Sequence, residues 1–215
     1  MRGCFAGIHA LGPTRKRRLA PKLRMVQRKS IGALFTIFGV LWVGAAAATP
    51  AGTVVGVSGS CTDLGRPLSR GDMVQIGDTL DVLAGGNLKL RMTDGSVISI
   101  ASGSRITVTG SGRVAKLLMT QGLLRVASVT RPFEVSTAVG TAAAASDSAD
   151  WFVKAEAGSA QVGVLAGTVN LTSSPTGESV SIPTHWGTRL EAGRAPVPPR
   201  VWNQMEFNAV IRVTE

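Results

Sequence analysis

Short apolar runs that alternate with polar positions recur through most of the chain, and turn-forming residues separate them. Between Arg70 and Val108, runs of Val, Ile, Leu and Met lie between Gly-Asp, Gly-Gly, Asp-Gly and Gly-Ser breaks, roughly every 8–10 residues. Each break supplies a backbone that can take positive φ or an Asx turn. Leu88, Leu90 and Met92 fall on one side of such a run, and Lys89 and Arg91 on the other. Thr93-Asp94-Gly95-Ser96 predicts a type I′ hairpin turn into the next run, 97–100.

Similar runs occupy 53–57, 73–76, 79–83, 87–92, 105–109, 117–119, 123–127 and 132–136, and then 151–155, 161–165, 168–172, 179–182 and 188–191. Regularly spaced short strands predict an all-β domain, β-solenoid-like or a sandwich. Residues 142–149 are a small-residue interruption, read as a helical turn or a loop. Pro196, Pro198 and Pro199 end the β part. Beyond them Trp202, Met205, Ala209, Val210 and Val213 recur near helical spacing, predicting a short C-terminal helix, with a final strand over 209–213 as the alternative.

The first fifty residues follow a different pattern. Residues 1–30 hold nine Lys or Arg and no Asp or Glu, and residues 31–48 then run without a charge to Ala46-Ala47-Ala48. A basic flank, an apolar run and small residues at its end predict a secretory signal peptide cut after Ala48. An uncleaved inner-membrane anchor over 31–48 is the rival reading, because the run nears the length of a membrane span. Either reading exports the rest, as a periplasmic or otherwise exported chain. Met25 offers a second start that gives a more ordinary signal. The expected organisation is 1–48 signal peptide, 49–195 β domain, and 196–215 Pro-rich turn with a C-terminal helix or strand.

Setting the leader apart changes the charge argument. The chain carries a net +10, but residues 49–215 hold 14 basic and 13 acidic side chains. The basic excess belongs to the leader, and the near-neutral remainder lacks the stripe that nucleic-acid binding requires. Cys4 lies in the leader, so Cys61 stands alone in the exported part and no internal disulfide is expected. A buried structural thiol is the expected role for Cys61, ahead of a bond to another chain.

Little in the chain suggests catalysis, and neither a metal nor a cofactor is expected. Gly110-Ser111-Gly112-Arg113-Val114-Ala115 matches a dinucleotide fingerprint but lacks the helix that must follow, so a glycine turn is favoured. Asp72, Asp78, Asp81 and Asp94 sit beside turns, without the spacing of a calcium loop. His185 is the single histidine after the leader, so no histidine cluster can hold zinc or copper, and no G-x-S-x-G elbow accompanies it. Trp151, Trp186 and Trp202 are the sharper candidates, read either as core plugs in a chain without tyrosine or as binding aromatics.

One ordered series of motifs ties these features together. Gly71-Asp72, Ile76-Gly77-Asp78-Thr79-Leu80 and Thr93-Asp94-Gly95-Ser96 come first. Gly122-Leu123-Leu124-Arg125-Val126 and Phe133-Glu134-Val135-Ser136-Thr137 follow. This series resembles the FecR domain, with family-motif turn residues Gly71, Asp72, Gly77, Asp78, Asp94, Gly95 and Ser96. The likeness runs on through Asp150-Trp151-Phe152-Val153 and Val164–Val169 to Leu190-Glu191-Ala192-Gly193. Two departures stand out. TAAAASDSAD replaces the family's usual Arg-Gly-Thr region, and only about 30 residues precede the apolar run, too few for a cytoplasmic anti-sigma domain.

The resemblance therefore implies a stand-alone exported FecR domain of the bacterial envelope. It would be non-catalytic, acting in signalling or assembly through protein–protein contact. The implied partner is an envelope protein, such as an outer-membrane receptor or a secretion component, with no nucleic acid. Membrane contact would come only through an unprocessed N-terminal segment. Strand addition at an exposed sheet edge is one physical route for the contact. The alternative is a module for cell-wall or surface glycan, with Trp151 or Trp186 stacking on sugar rings.

Overall fold

The computed structural model describes residues 49–111, 115–128 and 133–214. The expected signal peptide over 1–48, with Met25 and Cys4, lies outside the described residues, as do 112–114 of the glycine-rich hexapeptide. No helix among the described residues is long and apolar enough to cross a membrane.

The all-β expectation holds. In chain order the strands are β1 (Pro50–Ser58), β2 (Cys61–Asp63), β3 (Arg66–Pro67), β4 (Met73–Gln75), β5 (Thr79–Val82), β6 (Asn87–Met92), β7 (Val97–Ile100) and β8 (Ser104–Gly110). Then come β9 (Ala115–Ser128), β10 (Phe133–Ser136), β11 (Gly140–Ala144), β12 (Ala149–Glu156), β13 (Ser159–Ala166), β14 (Thr168–Ser173), β15 (Ser179–Pro183), β16 (Trp186–Glu191) and β17 (Arg200–Val201). One helix, α1 (Gln204–Thr214), ends the described chain.

Hydrogen bonding links every strand into one system that folds into two sheets at β9. The first sheet runs β4-β1-β6-β7-β9-β12-β13-β16-β17. The second runs β3-β2-β5-β8-β9-β10-β11-β14-β15. Strand β9 serves both: residues up to Gln121 pair with β8, and Gly122 to Ser128 pair with β12. Gly122 takes φ +103°, and a Cβ there would collide with Ser104. Only glycine allows the strand to turn that corner. Two runs, 117–119 and 123–127, are therefore one bent strand.

Period-two alternation aims one side of each sheet inward. Leu88, Leu90, Ile98, Ile100, Leu124 and Val126 from the first sheet meet Leu80, Val82, Ile106, Leu117 and Val135 from the second in one buried core. Trp151 and Phe133 cross it edge to face, with ring centroids 6.4 Å apart.

Three local expectations change. The interruption at 142–149 is not helical: Ala142 and Ala144 lie buried in β11, between β10 and β14, where small side chains fill the space. The turn before β7 is not type I′, because among its residues only Gly95 has positive φ (+89°). The Gly95 N–H donates to the Met92 carbonyl, giving a three-residue loop with glycine at the left-handed position. The β part also continues past the prolines, since Arg200 and Val201 pair with Gly187 and Trp186.

Helix α1 forms as its spacing predicts, but it buries another face. Phe207 and Thr214 are buried, whereas Met205 and Val213 are exposed. Asn203 caps the helix reciprocally: its Oδ1 accepts the Glu206 N–H at 3.0 Å, and Glu206 Oε2 accepts the Asn203 N–H at 2.8 Å. At the far end Asn87 Nδ2 of β6 donates to the Val213 carbonyl at 3.1 Å, tying the helix to the first sheet.

Candidate functional site

Two successive turns repeat one construction. In Ser69-Arg70-Gly71-Asp72, the Asp72 N–H donates to the Ser69 carbonyl at 3.1 Å, and Asp72 Oδ2 accepts the Ser69 N–H at 2.9 Å. In Gln75-Ile76-Gly77-Asp78 the same two bonds measure 3.2 and 2.7 Å. The glycine third in each turn has φ near +100° (+98° and +100°). Asp94 accepts the Ser96 N–H and hydroxyl, both at 2.9 Å. Each motif carboxylate thus has a turn to hold, which explains glycine and aspartate at that spacing without a ligand. Asp81 pairs with Arg105 at 2.6 Å. Among the described residues, no three His, Cys, Asp or Glu side chains converge as metal ligands would.

The three tryptophans separate. Trp151 is fully buried in the core. Trp186, on β16, is exposed and pairs across the strands with Val201. Trp202 belongs to a second, smaller aromatic cluster on the outer face of the first sheet. Its ring lies 5.3 Å from Phe152 and 5.7 Å from Phe207, and His185 lies 6.2 Å from Phe207.

Two glycines make the seat for this cluster. Phe152 pairs with Gly163, which pairs with Gly187, so the glycines adjoin in one cross-strand row. A Cβ on Gly163 would meet the Phe152 ring at 2.5 Å, and one on Gly187 would collide with Trp202. Bare backbone leaves room for both rings against the sheet, tilted 50° to one another, and Phe207 of α1 packs against both. Phe152, Phe207 and the glycine pair carry this cluster, although composition and spacing single out only Trp202. The readable signal is Asn203-x-x-Glu206, a capping box that starts the helix one residue after that tryptophan.

A groove of about 340 Å³ runs beside the cluster, lined by Phe152, Lys154, Gln161, Arg200, Trp202 and Glu206 among others. Its charges are internally matched. Lys154 bonds Glu156 at 2.6 Å, and Arg200 bonds Glu206 at 2.6 Å while its guanidinium lies 5.7 Å from the Trp202 ring centre. The bond from Arg200, then that from the Asn203 N–H, holds the Glu206 carboxyl below the usual carboxylate range. The bond from Lys154 does the same for Glu156. Paired, exposed charges of this kind shape the rim of the groove.

Two further residues have clear places. Cys61 is buried, its thiol within 3.7 Å of the Ser58 carbonyl and 3.6 Å of the Asn87 carbonyl. Burial pushes that thiol up from its ordinary value, against the Asn87 contact. Ala115, last residue of the glycine-rich hexapeptide, opens strand β9 where a dinucleotide site would need a helix.

Large apolar side chains remain in water at one end of the first sheet. Val197, Val201 and Met205 are 52%, 59% and 78% exposed, and Trp186, which pairs with Val201 across β16 and β17, is 37% exposed. The Val197 backbone holds this proline-rich segment to the sheet: its N–H donates to the Arg189 carbonyl at 2.9 Å, and its carbonyl accepts from the Thr188 hydroxyl.

Comparison with known proteins gives one family. Residues 78–170 match the family model described as FecR protein, a span from the start of β5 into β14. No curated protein matches the chain in sequence. Two crystal structures of a candidate anti-sigma factor from Parabacteroides distasonis ATCC 8503 share the fold. One aligns with TM-score 0.52 at 16% identity over 62% of this chain and 64% of that one. The other gives 0.53 at 15% identity over 62% and 63%. The chain thus spans less than two thirds of either.

Proposed function

We propose, from the match of residues 78–170 to the FecR family model, that this chain is a non-catalytic extracytoplasmic module of bacterial envelope signalling, working through protein–protein contact. The observation that carries the reading is the exposed cross-strand pair of Trp186 and Val201 at the β17 edge of the first sheet. Exposed apolar side chains of this size, paired across two strands at a sheet edge, fit a protein contact better than a small polar ligand. The partner is an envelope protein, for which an outer-membrane receptor or a secretion component are the nearest candidates. Export by residues 1–48 belongs to the same proposal.

The glycan alternative narrows to Trp186. Trp151 is sealed in the core, and the faces of Trp202 are occupied by Phe152, Phe207 and Arg200. A photoreactive residue at position 201, in the chain expressed in a Gram-negative host, separates the readings. A discrete protein adduct, absent when the probe sits at exposed position 120 of β9, is the expected result. No adduct, together with retention on peptidoglycan that Trp186→Ala abolishes, would transfer the assignment to glycan.

A further inference from the structure

Among the described residues the two sheets end in four edges, and three of them are guarded. Strand β3 is two residues long and consists of Arg66 and Pro67, and β17 is also two residues and opens on Arg200. Strand β4 has three residues, closed between the two Gly-Asp turns. Short length, charge and proline are the devices that keep edges from pairing with other chains. Strand β15 lacks most of them. It has five residues, Ser179-Val180-Ser181-Ile182-Pro183, without a charge, and among the described residues it pairs only with β14. Its neighbours β14 and β11 carry no charged side chain either.

Which backbone groups face out follows from the bonding parity. The Ser173 N–H points toward β15, donating to the Glu178 carbonyl, whereas the Thr168 carbonyl points toward β11, accepting from Ala145. Residues 169, 171 and 173 of β14 therefore bond β15, and their partners on it include Ile182 and Val180. The main-chain groups of Ser179, Ser181 and Pro183 are left pointing away from the sheet.

We propose that this edge pairs with the β15 edge of a second copy of the chain, antiparallel about a two-fold axis at Ser181. In that register the Ser181 N–H of each copy meets the Ser181 carbonyl of the other, and the Ser179 N–H meets the Pro183 carbonyl. Every outward donor finds an acceptor, and the missing N–H of Pro183 leaves no donor orphaned. A symmetric antiparallel pair also brings like residues together near its axis, so a charge there would face its own kind. Strand β15 presents none, and the flanking Glu178 falls opposite Thr184 of the second copy. The two second sheets join into one continuous sheet across the axis, with Val180 shielded at the seam.

The test is cysteine crosslinking of the full chain carrying Cys4→Ala and Cys61→Ala. Paired Ser181 Cα atoms would lie about 5.5 Å apart, within disulfide reach. Asn170, which pairs with Ser181 one strand inboard, would lie roughly 15 Å from its counterpart. Ser181→Cys is expected to give a disulfide dimer on mild oxidation and Asn170→Cys to stay monomeric. In the otherwise unaltered chain, Ser181→Lys and Ser181→Pro are expected to lose the dimer in sedimentation velocity. Equal crosslinking of the two cysteine variants, a dimer that survives Ser181→Pro, or capture only of a different protein would each overturn the proposal. Because the photoreactive probe at position 201 reads a different edge, failure here leaves the envelope-contact reading separately testable.

Discussion

The outer faces of the two sheets begin from the same alternating pattern and end in opposite conditions. The outer face of the second sheet is a hydroxyl ladder. Thr79, Thr107, Leu118, Ser136, Thr141, Thr172 and Ser179 follow one another across seven strands. Three neighbouring pairs bond at 2.9, 3.1 and 3.1 Å. Apart from Leu118 these are small polar side chains that satisfy one another, so little draws an element onto that face. The first sheet instead presents Phe152 and two bare glycines on its outer face, and α1 with Trp202 covers them. An outward aromatic on flat backbone recruits a cover, and an outward threonine does not.

The strongest way to break the comparison is to remove the corner that allows two sheets at all. Gly122→Ala is expected to cost about 3–4 kcal/mol, from a positive-φ position and a collision with Ser104 together. Chemical denaturation should show a large loss, and a cost under about 1 kcal/mol would mean that β9 turns without its glycine. Next in size, Phe207→Ala empties the seat on the first sheet and should cost about 2–3 kcal/mol. Amide exchange is then expected to accelerate across 204–214 while the hydroxyl ladder stays protected. Uniform acceleration in both sheets would show that α1 is part of the global core.

Asn203→Ala breaks the reciprocal cap and is expected to cost about 1 kcal/mol, read by denaturation and by fraying of the first helical turn. Glu206 adds a pH signature to the same cap. Its carboxyl is held low in the folded chain, so its contribution is present at neutral pH and fades as acid protonates it, below the usual carboxylate range. Cys61 behaves in the reverse sense. Its folded thiol is raised, so stability is intact below the ordinary value of 9.0 and falls as pH climbs past it, because the unfolded thiol ionises first. Cys61→Ala should flatten the alkaline limb of a stability–pH curve. The smallest effect belongs to the ladder: Thr107→Ala removes one half-buried hydroxyl bond from the outer face and should stay within about 0.5 kcal/mol.

Particular residues show where sequence reasoning reached and where it stopped. The strand at 87–92 was legible because Leu88, Leu90 and Met92 alternate strictly with Lys89 and Arg91, and burial follows that alternation. The run of alanines in β11 was not, because alanine carries almost no periodic signal and its strand identity comes from Glu134, Val135 and Leu171 beside it. The helix beyond the prolines was legible in its spacing, yet its buried face was not. Met205 and Val213 match the apolar stripe as well as Phe207 does, and only the position of Phe152 on the sheet beneath decides which of them is covered. The three tryptophans are alike in composition, whereas the structure sends one to the core, one into the outer cluster and one to the surface.

Sequence alone determined the β class, the turns at Gly71-Asp72 and Gly77-Asp78, the likeness to the FecR domain and the helical spacing beyond the prolines. These rest on local physics: two-residue alternation, positive φ at glycine, and side chains that cap their own backbone. Tertiary structure alone decided that β9 serves two sheets, that Gly163 and Gly187 adjoin beneath two aromatic rings, and that β15 is the unguarded edge. Those are relations between residues far apart in the chain, set by register and by what lies across the core, and no short window of sequence contains them.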